Sequence, residues 1–149
     1  MANTLRIAIG SDHRGFRAKQ SILETLNANG YLIHDFGCPD EASVDYPDIA
    51  KAVCDAIALG EFDRGILICG SGIGMSIAAN KVKRVRAALC SDVVSAHLSR
   101  AHNDANVLCL GGEMIGPWLI KEIVTTFLIS EFIGERHLRR VDKMRQMDN

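Results

Sequence analysis

Arg64–Lys81 reads RGILICGSGIGMSIAANK. Arg64–Cys69 is a strand, apolar without interruption after its first residue, Gly70–Gly74 a glycine loop and Met75–Lys81 a short helix. A run with no polar alternation is the mark of a strand covered on both faces, which is how parallel sheets are built. The same unit recurs on either side. Towards the N-terminus, Leu5–Gly10 reads as a strand. Gly15–Asn29 reads as an amphipathic helix with Phe16, Ile22, Leu23 and Leu26 on its apolar side and a stop at Gly30. Tyr31–Phe36 is a second strand, Gly37–Tyr46 a polar loop, and Pro47–Leu59 a helix with proline in its first turn. Towards the C-terminus come a strand at Val85–Cys90, a helix at Asp92–Arg100 opened by a good capping residue, and a strand at Val107–Leu110. A long apolar helix at Pro117–Phe132 and a basic one at His137–Met147 follow. This alternation predicts a doubly wound, Rossmann-like α/β/α sandwich with a five-stranded parallel sheet and a C-terminal helical extension, one domain over residues 1–149.

Composition narrows the function classes. A net charge of −1 gives no basic field for nucleic acid. The basic run in Glu135–Arg145 is what a solvated helix face also looks like. Five cysteines, Cys38, Cys54, Cys69, Cys90 and Cys109, are an odd number with no C-x-x-C pair. That argues against a disulfide scaffold or a zinc site and for reduced thiols in the cytoplasm. The segment beginning Met-Ala-Asn-Thr-Leu-Arg has no apolar stretch of a signal peptide, and no run approaches the ~18 residues of a membrane span.

Ligands of an open parallel sheet bind beyond the carboxyl ends of its strands. Strand one ends in Ser11-Asp12-His13-Arg14-Gly15. Asp12 and His13 can act as acid–base groups, or Asp12 can cap the first helix and His13 be incidental. Strand three ends in Cys69-Gly70-Ser71-Gly72-Ile73-Gly74. Three glycines let the backbone approach a phosphate, a carboxylate or an enediolate, with the next helix aiming its free N–H groups there. The same helix end would favour negative charge on the Cys69 sulfur; the alternative is a buried, inert cysteine. The loop lacks the last glycine of a dinucleotide fingerprint and the Lys-Ser or Lys-Thr of a P-loop. Met75 also stands where a cysteine phosphatase would want its arginine. Arg136 and Arg140 lie four apart on the basic helix, where like charges repel unless an anion, Glu135, Asp142 or another chain relieves them. His102 and Asn103 fall between helix four and strand five, at the wrong edge of their own sheet to reach the strand ends. They are either turn residues or parts of another subunit's site.

Five ordered motifs resemble one family: GSDH at Gly10–His13, DYP at Asp45–Pro47, CGSGIGMSIAANK at Cys69–Lys81, LSRAHNDANVL at Leu98–Leu108 and RHLRRV at Arg136–Val141. The chain resembles the type B ribose-5-phosphate isomerases, grouped with the galactose-6-phosphate isomerase subunits. The resemblance implies a metal-free, cofactor-free aldose–ketose isomerase acting through a cis-enediolate. In it Cys69 would move the proton between C2 and C1, and Ser71 would help protons pass between O1 and O2. His102 would open the ring with Asp12 assisting. The N–H groups of Gly70, Ser71, Gly72, Ile73 and Gly74 and the amide of Asn103 would stabilise the enediolate. His13, Arg136 and Arg140 would hold the phosphate, and Tyr46 would line the site. The resemblance also implies a homodimer, or a dimer of dimers, whose histidine loop completes the partner's site. Glu113 departs from the family, standing where many members have an arginine near the phosphate. Ribose 5-phosphate is the first expectation for substrate, with allose or galactose 6-phosphate next. A non-catalytic phosphate- or nucleotide-binding module is the rival from another class.

Overall fold

The structure, a computed structural model, describes residues 4–148; the start of the segment read for a signal peptide, residues 1–3, lies outside them. Five strands, β1 (Arg6–Ser11), β2 (Leu32–Asp35), β3 (Arg64–Cys69), β4 (Ala87–Leu89) and β5 (Val107–Gly111), form one parallel sheet in the order β2-β1-β3-β5-β4. The helices are α1 (Phe16–Ala28), α2 (Tyr46–Ala58), α3 (Ile73–Ala79), α4 (Val93–Ala101), α5 (Pro117–Ile129) and the C-terminal α6 (Arg136–Arg145).

Strand residues alternate between two separate cores. Ile7, Ile9, Ile66, Ile68, Leu108 and Leu110 face α1, α4 and α5, where Ile22, Leu26, Ile123 and Phe127 close over them. Ala8, Leu67, Cys69, Val107 and Cys109 face α2 and α3, represented by Val53, Cys54, Met75 and Ala79. Burial on both faces is why the strands read as unbroken apolar runs. It also places the Cys69 side chain on the α2/α3 side. That side is tight: a Cβ on Gly10 would lie 2.6 Å from the Ile49 side chain.

Several boundaries differ from the sequence reading, each for a local reason. The fourth strand is Ala87–Leu89 rather than Val85–Cys90. The Asn106 side chain accepts from the Arg86 N–H at 2.8 Å and donates to the Arg84 carbonyl at 2.8 Å, replacing ladder bonds. The fifth helix stops at Ile129 instead of Phe132, where Ser130 turns extended and its hydroxyl donates to the Thr126 carbonyl at 2.7 Å. The third helix starts at Ile73, two residues early, because Gly72 takes φ +80° and swings the chain into it. A Cβ on Gly72 would also lie 2.6 Å from Leu89 Cδ1, so glycine is required twice over. Asp92 caps α4, accepting from the Ser95 N–H at 2.6 Å. No helix among the described residues is long and apolar enough to cross a membrane.

Candidate active site

A pocket of about 830 Å³ opens beyond the carboxyl ends of β1, β3 and β5. It brings together Asp12, His13, Tyr46, Cys69, Gly70, Ser71, Ile73, Gly74 and Glu113 from the residues singled out in the sequence. Gly72 sits behind them in the turn.

Each wall has a local cause. Asp12 is buried, and its Oδ1 accepts from the Arg14 and Gly15 N–H groups at 3.0 Å each. These bonds hold the turn ahead of α1, but the helix opens at Gly15 with no side-chain cap, so Asp12 is not its capping residue; it lines the pocket instead. A Cβ on Gly15 would lie 2.4 Å from the Ile68 carbonyl oxygen, so glycine is what lets this turn press onto β3. His13 Nδ1 accepts from the Val44 N–H at 3.3 Å, which orients the ring towards the pocket. Tyr46 lies over Gly74, where a Cβ would come within 2.5 Å of its ring.

On the floor, Cys69 Sγ accepts from the Gly72 N–H at 3.2 Å and Ser71 Oγ accepts from the Ile73 N–H at 3.2 Å. Those amides fix the two candidate proton carriers, leaving Gly70, Ser71 and Gly74 as the open backbone donors of the loop among the described residues. The strand-five end is tied onto this floor: the Gly112 N–H donates to the Cys69 carbonyl at 2.8 Å and the Glu113 N–H to the Gly70 carbonyl at 3.1 Å. All five cysteines are buried and free. Burial pushes the Cys54 thiol up to about 12, with Asp55 adding to it, and raises Cys90 and Cys109 as well, so those three stay neutral. No group of three or more His, Cys, Asp or Glu side chains among the described residues is placed to hold a metal ion.

His102, Asn103, Arg136 and Arg140 are not in this pocket. The single chain therefore does not assemble His13 with Arg136 and Arg140, nor Asp12 with His102. His102 closes the C-terminus of α4, ahead of β5, and its ring stacks on His137 with centroids 4.1 Å apart and planes 10° apart. Burial, then His102, Arg136 and Arg140, hold His137 below the ordinary histidine range, against an opposing pull from Glu135. The two arginines thus belong with His102 at the far edge of the sheet. The turn there is rigid. Asp104, at φ +49°, accepts from the buried Arg100 Nη1 at 2.9 Å, and Arg100 also donates to the Ala105 carbonyl at 2.7 Å. Sequence reasoning passed over Arg14, which lines the pocket, and His137, which lies against His102. Each is the immediate neighbour of a residue it did single out.

The Ribose/Galactose Isomerase family matches residues 7–144. Ribose-5-phosphate isomerase B of Escherichia coli is 47% identical over 137 residues, 92% of each chain. D-erythrulose-4-phosphate isomerase of Pectobacterium atrosepticum is 43% identical over 141 residues, 94% of this chain and 93% of its own. The solved ribose-5-phosphate isomerase B of Clostridium thermocellum superposes with a TM-score of 0.94 at 49% identity, covering 96% of this chain and 97% of its own. The match runs along nearly the whole chain, and the protein belongs to the ribose/galactose isomerase family.

Proposed function

We propose that this protein interconverts D-ribose 5-phosphate and D-ribulose 5-phosphate through a cis-enediolate, in sites completed by a second copy of the chain. The observation that carries the reading is the Gly72 N–H held on the Cys69 sulfur at the pocket floor. That amide fixes the sulfur at the pocket floor, where it can act as the base. The thiolate takes the C2 proton and returns it to C1, while the proton on O2 passes to O1 by way of the Ser71 hydroxyl. The thiolate is regenerated. Negative charge building on the two oxygens falls to the Gly70, Ser71 and Gly74 N–H groups, donors already fixed before the reaction. Ring opening precedes this: His102 gives a proton to the ring oxygen as its bond to C1 breaks, and Asp12 takes the proton of the O1 hydroxyl.

The second copy supplies His102, Asn103, Arg136 and Arg140. Two features support it: those residues sit together at the far edge of the sheet, and Ile73 and Ile77, more than half exposed, flank the pocket with apolar surface. A two-fold axis would give each partner the same exchange. Five free, buried thiols support a cytoplasmic setting.

A panel of aldose 5- and 6-phosphates, assayed for ketose phosphate and for free phosphate, tests the reading. Ribose 5-phosphate is expected to give ribulose 5-phosphate and no free phosphate. Phosphate release would indicate a phosphatase, and binding without turnover a non-catalytic module.

A further inference from the structure

We propose that Arg14 is this pocket's own anchor for the substrate phosphate and that Glu113 tunes how tightly it holds. The inference rests on the isomerase reading above. Three carboxylates, Asp12, Asp45 and Glu113, line the pocket, and Arg14 is the one lysine or arginine among the described residues that do so. A phosphate entering beside three carboxylates needs a cation, and Arg14 is the permanent one that the described residues place in this pocket.

The geometry suits the task. The Arg14 backbone is pinned by Asp12, while its side chain is 62% exposed and free to reorient. That side chain passes over the glycine loop: a Cβ on Gly70 would lie 3.1 Å from Arg14 Cδ and 3.3 Å from Glu113 Oε2. Glycine at 70 is what leaves room for both groups. Arg14 Nη1 stands 3.8 Å from Glu113 Oε2, a loose pair between exposed side chains that contributes little to stability. A phosphate offers more charge and accepts forked hydrogen bonds, so it outcompetes the carboxylate for the guanidinium. The Glu113 N–H is tied to the Gly70 carbonyl, which keeps its backbone beside the glycine loop and its carboxylate within reach of Arg14. Glu113 holds Arg14 in the empty pocket and opposes the phosphate in the filled one.

The two residues therefore act with opposite sign. Arg14→Ala is expected to raise KM for ribose 5-phosphate and the calorimetric Kd for inorganic phosphate by roughly tenfold or more, the range of a charged hydrogen bond. Glu113→Gln is expected to lower both. Arg14→Lys, which keeps charge but loses the fork, should fall between wild type and Arg14→Ala. A pair with only a structural role would respond alike to loss of either member. Shifts in the same direction, or an unmoved phosphate Kd in Arg14→Ala, overturn the proposal. Glu113→Gln provides an independent arm if Arg14→Ala does not fold by circular dichroism. Wild-type protein that binds phosphate and makes no ribulose 5-phosphate overturns the isomerase reading instead.

Discussion

Cys69 and His102 stand at opposite edges of one sheet, the first at the carboxyl end of β3 and the second at the turn that leads into β5. In a parallel sheet those edges are separated by the length of the strands. Should both act in the proposed isomerisation, they can meet only across two chains, and the predictions follow from that division.

Cys69→Ala should abolish isomerisation while leaving substrate binding and the circular dichroism spectrum nearly unchanged. Loss of a general base costs ~10²–10⁴-fold. Removing this small side chain from the α2/α3 core should be tolerated. Turnover near the wild-type rate would take Cys69 out of the mechanism.

Gly74→Ala probes the Tyr46 wall. The new methyl would sit 2.5 Å from the ring, and Tyr46 is 37% exposed, so the ring swings out instead of the helix breaking. A displaced wall misplaces substrate, which costs up to ~10²-fold in rate. Thermal stability should barely change, since alanine favours the helix. An unchanged kcat/KM would show that Tyr46 does not shape the site.

Arg136→Ala and Arg140→Ala should each raise KM for ribose 5-phosphate by roughly tenfold, the scale of one charged hydrogen bond to phosphate. Their side chains lie far from His13 in the same chain, so an effect this large would itself report a second copy. An unchanged KM would leave them as a solvated helix face.

His137 gives a pH signature. Its folded-state affinity for protons is depressed by burial and by His102, Arg136 and Arg140. The unfolded chain therefore binds protons first as pH falls below the ordinary histidine value of about 6.5. Stability is complete above that value and declines as pH drops from it towards the lower folded-state value. His137→Gln should flatten this slope in chemical denaturation measured between pH 5 and 7.5; an unaltered slope would assign it to other groups.

How much of this was legible in the sequence depends on whether a feature is local. The strand–loop–helix unit at Arg64–Lys81 is local, and apolar runs and glycines define it. Asp12 and Cys69 follow, since each lies beside a strand end; Tyr46, the first residue of α2, is reached only through the family resemblance. The order that inserts β5 between β3 and β4 is not local: parallel strands pair through long crossovers whose partners no short motif specifies. Asn106 shortening β4 depends on a side chain reaching across 20 positions to the Arg86 backbone. The edge position of His102 could be read from connectivity, because a residue after a helix and before a parallel strand must lie at that edge. Arg136 and Arg140 had no such marker, as α6 lies outside the alternating pattern, and their separation from His13 emerged only in three dimensions. Arg14 was hidden by the chemistry of its neighbour His13.

The shared site is tested most directly by hybrid complementation. Cys69→Ala and His102→Ala proteins should each be nearly inactive. Mixed in equal amounts, gently unfolded and reassociated, they pair at random, and about half of the dimers carry one chain of each kind. A mixed dimer holds one site with both lesions and one with neither, so activity should recover to roughly a quarter of wild type under two-fold symmetry. Mixed dimers demonstrated by mass spectrometry with no regain of ribulose 5-phosphate formation would contradict the shared site.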